Sequence, residues 1–289
     1  MTSRDITTLG MFRVALAAGA LLIAAEAAGH DRALRVCADP NNLPFSNRRL
    51  EGFENRIARL IADDMHATVQ YTWHPQRRGF IRQTLKSGAC DLVVGLPTGY
   101  DLVLSTKPYY RSTYVFVSST RRHLQLRSFD DPVLGRLKIG VEEIGSDGAN
   151  TPPAHALARR GLAGNIVGFK LWDVDSVESP PGQIIEAVLS GAIDVAIVWG
   201  PFAGYFAKRH PPGSLAIVPV SATIDPPAIP FVYDMSMGVR PGDAAFKAEL
   251  EEILDRRRGD IERILGEYGI PVLVVEPQTE KQLEEPTCG

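Results

Sequence analysis

Three aspartates stand in segments rich in turn-forming residues: Asp39 in DPNNLPFSN (39–47), Asp101 in GLPTGYD (95–101) and Asp147 in GSDGANTPP (145–153). Three carboxylates around one cleft would offer oxygen ligands to a hard cation such as calcium or a trivalent lanthanide. Each aspartate can equally close its own turn by accepting backbone N–H bonds. That reading leaves no metal site, and none is expected. The same segments hold neutral donors and acceptors: Asn41, Asn42, Ser46, Thr98, Ser146, Asn150 and Thr151. Phe45, Tyr100, Phe202 and Tyr205 add aromatic surface of the kind that anchors a protein partner, and Trp199 either stacks on a ligand or packs in the core or hinge. Together these residues are the candidate lining of a binding cleft. Catalytic patterns are absent: there is no H-x-x-x-H pair, no G-x-S-x-G elbow and no C-x-x-C. His66, His74, His123, His155 and His210 show no ligand spacing. The expectation is a protein that is not an enzyme and holds no cofactor.

The elements that must position these residues read as α/β. In SGACDLVVGLPTGYD (87–101) a helix stops at Gly88, a buried strand follows at 91–94, and a turn-rich loop opens at 95–101. Open α/β sheets bind ligands at strand ends of this kind. A second copy, SGAIDVAIVWG (190–200), places Gly191 about 103 residues beyond Gly88. RVC (35–37) and KIG (138–140) obey the same offset of about 103. One shared offset at two places predicts two similar lobes, each a mainly parallel sheet flanked by helices, with a cleft between them.

Periodicity supplies the remaining elements. Phe53, Ile57, Leu60 and Ile61 recur on one face of a helix over 52–65. Residues 68–73 alternate as a strand, and 80–86 reads as a helix ending at Gly88. A long extended stretch is expected over 102–119. The second lobe starts with a strand at 137–141 and ends with a strand at 215–219. A strand at 231–239 returns to the first lobe, and 244–268 is helical with a break near Gly259. The resulting division is 31–119 with 225–276 for one lobe, 120–224 for the other, and a loose acidic tail at 277–289.

The 289 residues are 45% hydrophobic and 22% charged, enough apolar material for two cores. The net charge of −3 gives no basic footprint for nucleic acid or an anionic membrane. Residues 1–27 read as a secretory signal peptide: Arg4 and Arg13, an apolar run at 14–25, then Ala25-Glu26-Ala27 as a small-x-small cleavage site. The run is too short to span a bilayer comfortably. An exported, periplasmic protein is expected, and its cysteines then read as disulfide formers. Cys37 and Cys90 belong to neighbouring strands and are expected to pair, leaving Cys288 over.

The order LRVCADPNNLPFSN, GFENRIARLIADDM, CDLVVGLPTGYD and STKPYY resembles the type II periplasmic solute-binding proteins over roughly residues 34–268. Five segments resemble one subgroup more closely: DPNNLPFSN (39–47), GFENRIA (52–58), GLPTGYD (95–101), DGANTPPAHALARRG (147–161) and VWGPFAGYFA (198–207). That subgroup comprises the binding-protein-like accessory proteins of pyrroloquinoline-quinone (PQQ) methanol dehydrogenases, of both calcium and lanthanide types. The resemblance implies a methanol dehydrogenase subunit as partner, and a role in its maturation or activation. Amino-acid receptors of the superfamily carry Thr-x-x-Arg after the central strand, the arginine clamping the ligand carboxylate. Here the loop is Thr98-Gly99-Tyr100-Asp101. Losing one member of a buried charge pair costs about 2–5 kcal/mol, or roughly two to three decades of affinity. A free amino acid should bind badly unless Arg77 or Arg78 swings in. The alternative function is a transport receptor for a small polar solute that is not a standard amino acid.

Overall fold

The structure is a computed structural model that describes residues 32–144, 149–170, 182–221, 224–225 and 229–273. The segments read as a signal peptide (1–27) and an acidic tail (277–289), with Cys288, Ser146 and Asp147, lie outside the described residues. Leaving aside two-residue bridges, the strands are β1 (Arg32–Ala38), β2 (Ala67–Trp73), β3 (Leu92–Pro97), β4 (Tyr110–Ser119), β5 (Ile139–Ile144), β6 (Ile166–Lys170), β7 (Val195–Trp199), β8 (Leu215–Pro219) and β9 (Val232–Val239). The helices are α1 (Phe53–Asp64), α2 (Phe80–Gln83), α3 (Pro152–Arg159), α4 (Gln183–Ser190), α5 (Gly200–Ala207), α6 (Ala244–Arg256) and α7 (Arg258–Glu267).

The strand path is β6-β5-β7-β4-β9-β3-β1-β2, with β8 off this path and paired with β4. β1 is flanked by β2 and β3 in parallel, and β5 by β6 and β7 in parallel. The two parallel blocks repeat the offset seen in the sequence. Val36 pairs Leu92 in the first, and Ile139 pairs Val195 in the second. Asp91 N–H donates to Arg35 O at 2.8 Å, and Asp194 N–H to Lys138 O at 2.9 Å. Gly88 and Gly191, which end the preceding helical segments, have φ of 79° and 78°, a conformation that costs glycine little. The two blocks are thus copies of one design, and together they make the two lobes.

Two antiparallel strands join the blocks. Residues 110–113 of β4 pair with β9, while 114–118 pair with β7 and 115–119 with β8. β9 in turn pairs with β3. The cores are separate. Phe53, Ile57 and Ile61 of α1 pack with Leu34, Leu92, Met237 and Ile264 in one. Ile184, Ile185 and Val188 of α4 pack with Val115, Val117 and Val198 in the other. Cys37 and Cys90 form the expected disulfide, with Cα atoms 5.5 Å apart. Asp91 beside it is held by Arg35 and Arg240. Burial pushes its carboxyl up, but the hydrogen bonds from both arginines outweigh that and hold it below the ordinary range.

Several expected boundaries move. The 80–86 helix is one turn, because Thr84 and Ser87 hydroxyls bond back to Phe80 O and Gln83 O and end it. The long strand over 102–119 is interrupted at 106–109, where Pro108 has no N–H to give a ladder. The C-terminal helix divides at Arg257 rather than Gly259.

Candidate functional site

A cavity of about 670 Å³ lies between the two blocks. Its walls come from the strand ends and helix starts that the sequence marked: Asn42 and Phe45 from the first loop, Gly95–Pro97 and Tyr100 from the second, Thr151 and Pro152 at the head of α3, Trp199 at the end of β7. Tyr114 from β4 and Tyr233 from β9 line it from the connecting strands. The wall is aromatic: Trp199 packs edge-on to Tyr114 at 5.3 Å and to Tyr233 at 5.7 Å between ring centres.

Of the residues expected to line the cleft, Asn42, Phe45, Tyr100, Thr151 and Trp199 do so. Asp39 and Ser46 do not. The Asp39 N–H donates to Ser46 Oγ, and that hydroxyl donates back to Asp39 O at 2.9 Å. The Asp39 carboxylate accepts from the backbone N–H of Asn41 at 2.8 Å and of Gln76 at 2.5 Å. Both side chains are spent on closing a loop buried at 2% and 1% exposure, the ordinary use of Asp and Ser in a turn. Burial raises the Asp39 carboxyl despite those bonds. Asn41 is exposed in a two-residue bridge with Asn47. Thr98 donates to Asp234 O and sits 2.6 Å from the Ser236 hydroxyl, so it ties the loop to β9, and it is outside the cavity wall. Asp101 is exposed and outside the wall. Asn150 is placed only in its backbone, bridging to Glu143. The three-aspartate arrangement is therefore not assembled: Asp39 faces its own turn and Asp101 faces solvent.

Tyr205 is also misplaced by the sequence reading. It stacks on Tyr268 at 5.8 Å and sits in a second hollow with Arg56, Lys208, Arg209 and Glu267. Phe202, one turn earlier on α5, faces the cavity instead.

Among the lining residues not marked in the sequence, two are acidic: Glu54 and Glu142. Glu54 is in the first turn of α1, and its Oε1 lies 2.1 Å from where a Cβ on Gly95 would stand. Any side chain at 95 would evict the carboxyl. Glu142 is in β5, and its backbone carbonyl accepts from Thr151 Oγ1 at 3.1 Å. Both are nearly inaccessible, at 8% and 5% exposure. Burial pushes the Glu54 carboxyl up to about 8, with the negative Asp39 adding to it. Burial likewise pushes Glu142 up to about 8, against a hydrogen bond from the Trp199 backbone N–H. Oε1 of Glu142 has no hydrogen-bond partner. The signal that could have found them is the GFE start of α1 and the paired Glu142-Glu143 at a strand end. Acids there are usually read as helix-dipole partners or solvated edges.

Parallel β/α blocks joined by two crossing strands, with a cavity between them, define the type II periplasmic binding protein fold. The chain belongs to the bacterial extracellular solute-binding proteins, family 3, which its residues 34–269 match. Within that class it is 33% identical over 259 residues to Protein MoxJ of Methylorubrum extorquens, covering 87% of this chain and 86% of that one. The crystal structure of the periplasmic binding protein XoxJ from Methylobacterium extorquens AM1 superposes with a TM-score of 0.67 at 36% identity, covering 84% of this chain and all of that one. MxaJ from Methlophaga aminisulfidivorans MPT gives a TM-score of 0.72 at 25% identity, covering 83% of this chain and all of that one. The chain is thus a type II binding protein of the MxaJ and XoxJ kind. No helix among the described residues is long and apolar enough to cross a membrane.

Proposed function

We propose that the protein is a non-enzymatic periplasmic accessory protein of a PQQ-dependent methanol dehydrogenase system, which binds the dehydrogenase to assist its maturation or activation. The likeness to MoxJ, XoxJ and MxaJ supports the assignment to that system. The observation that carries a role other than amino-acid uptake is the loop after β3. Where an amino-acid receptor has its carboxylate-clamping arginine, this loop ends in an exposed aspartate, Asp101. Arg77 and Arg78 stand at the cavity mouth and are exposed, so neither offers a desolvated clamp. Tyr100 is 42% exposed at the same mouth, a large aromatic surface available to a partner. β4 and β9, the two strands that cross between lobes 31–119 with 225–276 and 120–224, serve as the hinge.

The test is affinity capture of the mature protein from periplasm, with mass spectrometry of what it retains, followed by titration with the purified dehydrogenase. A stoichiometric quinoprotein subunit is the expected result. Tyr100→Ala should weaken that binding by about tenfold, in line with the loss of an aromatic interface anchor. Background proteins together with a co-purifying small molecule would overturn the reading and favour a solute receptor, for which the cavity between the blocks is the supporting feature.

A further inference from the structure

Two carboxyl groups reach one cavity from opposite sides, Glu54 from α1 and Glu142 from β5. Neither has an ion pair with a basic residue among the described residues. What surrounds Glu54 is acidic or phenolic: Asp39, Tyr71, Tyr109 and Tyr110. Glu142 faces Tyr114, whose hydroxyl burial and the carboxyl both keep protonated. The three basic residues on the wall, Arg77, Arg78 and Arg82, are exposed at the mouth, where solvent and salt screen them. The floor thus has two acids and no cation.

Around Glu142 the wall is an aromatic corner of Tyr114, Trp199 and Tyr233. Ring faces attract cations, and the attraction strengthens as water is excluded. Glu142 Oε1 lacks a donor, while its neighbour oxygen is served by the Trp199 N–H. A buried acceptor without a donor is a defect that a ligand N–H would repair. Gly95 adds to the same design, because the missing Cβ is what lets Glu54 enter the cavity.

We propose that the cavity between Glu54 and Glu142 is a binding site for a protonated organic amine with an apolar body. The ammonium group donates to Glu142 Oε1 and supplies the counter-charge the floor lacks. The body of the ligand rests on Tyr114, Trp199, Tyr233 and Phe45. A quaternary ammonium is disfavoured, since it has no N–H for the orphan oxygen. Ionisation of one of the two acids, Glu142, accompanies binding, so that the single ammonium charge is matched by one carboxylate and the complex forms with release of a proton to the medium. The groups that set this titration are Glu54, Glu142, Asp39, the four tyrosines beside Glu54 and Glu142, and the three mouth arginines. The site stands apart from the dehydrogenase reading, since it uses the cavity floor rather than the exposed Tyr100.

Calorimetric titration of the full mature protein with hexylammonium, against 1-hexanol as its uncharged counterpart, tests the proposal. Hexylammonium should bind at least tenfold more tightly than 1-hexanol. Glu142→Gln and Glu54→Gln should each lower hexylammonium affinity at least tenfold and leave 1-hexanol unchanged. Titration in two buffers of different ionisation enthalpy should show net proton release. Equal affinity for both probes, no binding of hexylammonium at millimolar concentration, or unaltered affinity in both variants overturns it. Circular dichroism of the variants confirms that they fold, and dehydrogenase capture on the same variants reports the accessory role separately.

Discussion

Replacing the two buried glutamates by glutamine should change the pH dependence of folding. In the unfolded chain each titrates near its ordinary 4.5, and in the folded protein near about 8. Between those values the folded state retains two protons that the unfolded chain has already released. Stability is therefore full below about pH 4.5 and falls as the pH rises to about 8, where the folded carboxyls ionise too. At about 1.36 kcal/mol per pH unit, a gap of roughly 3.5 amounts to about 5 kcal/mol per residue over the whole window. Between pH 5 and pH 8 the share is about 3–4 kcal/mol each. That is a large part of the ~5–15 kcal/mol by which a domain is stable. Glutamine keeps the shape and removes the ionisation. Urea unfolding of the wild type, Glu54→Gln and Glu142→Gln at pH 5 and pH 8 reads the effect. Each variant should gain on the wild type by about 3 kcal/mol more at pH 8 than at pH 5, a shift in midpoint of ~1–3 M at the usual urea slopes. Comparing variant with wild type cancels the other carboxylates. Among them, Asp64, Asp91 and Asp255 are held below their usual range and contribute stability that is lost only as the pH falls towards acid. A variant-minus-wild-type difference that is the same at both pH values would refute the reasoning, because it would mean the carboxyls are already ionised and solvated in the fold.

Three further outcomes follow from packing and covalent constraint. Cys37→Ala with Cys90→Ala should cost about 4 kcal/mol, the chain-entropy value for a closed loop of 53 residues, and reduction with dithiothreitol before a thermal scan should lower the transition to match. Gly52→Ala puts a Cβ 2.0 Å from the Phe45 carbonyl oxygen, a backbone atom that cannot step aside, so a loss of about 3 kcal/mol or more is expected in denaturant unfolding. Asp91→Asn leaves Arg35 and Arg240 without their shared carboxylate; stability at pH 7 should drop by about 1–3 kcal/mol, and the wild type should approach the variant as the pH is lowered through the depressed Asp91 range.

The two-lobed plan was legible because it rests on local signals repeated at one spacing. Gly88 and Gly191 end helical segments, the runs after them are apolar enough to be buried strands, and RVC and KIG precede both at the same offset. Parallel pairing of β1 with β3 and of β5 with β7 follows from that duplication. The disulfide was legible for the same reason, since neighbouring strands bring Cys37 beside Cys90. Phe45, Tyr100, Thr151 and Trp199 could be placed at the cavity because they close strand ends or open helices on the side where α/β sheets bind.

What the sequence could not settle was the direction each side chain takes within a loop. Asp39 and Ser46 looked like ligands, yet they satisfy backbone N–H groups of their own loop and of Gln76, a residue 37 positions on. Tyr205 and Phe202 share one helix, yet only the packing of α5 against Tyr268 decides which faces the cavity. Glu54 and Glu142 carry no unusual pattern in the chain. They become a site only because Gly95, far from both in sequence, leaves room for one, and because the two lobes place both along one cavity. Local sequence thus determined the elements, their duplication and the bond between Cys37 and Cys90. Tertiary structure alone decided the chemistry of the cleft, because desolvation is a property of what surrounds a carboxyl in space and has no counterpart in its neighbours along the chain.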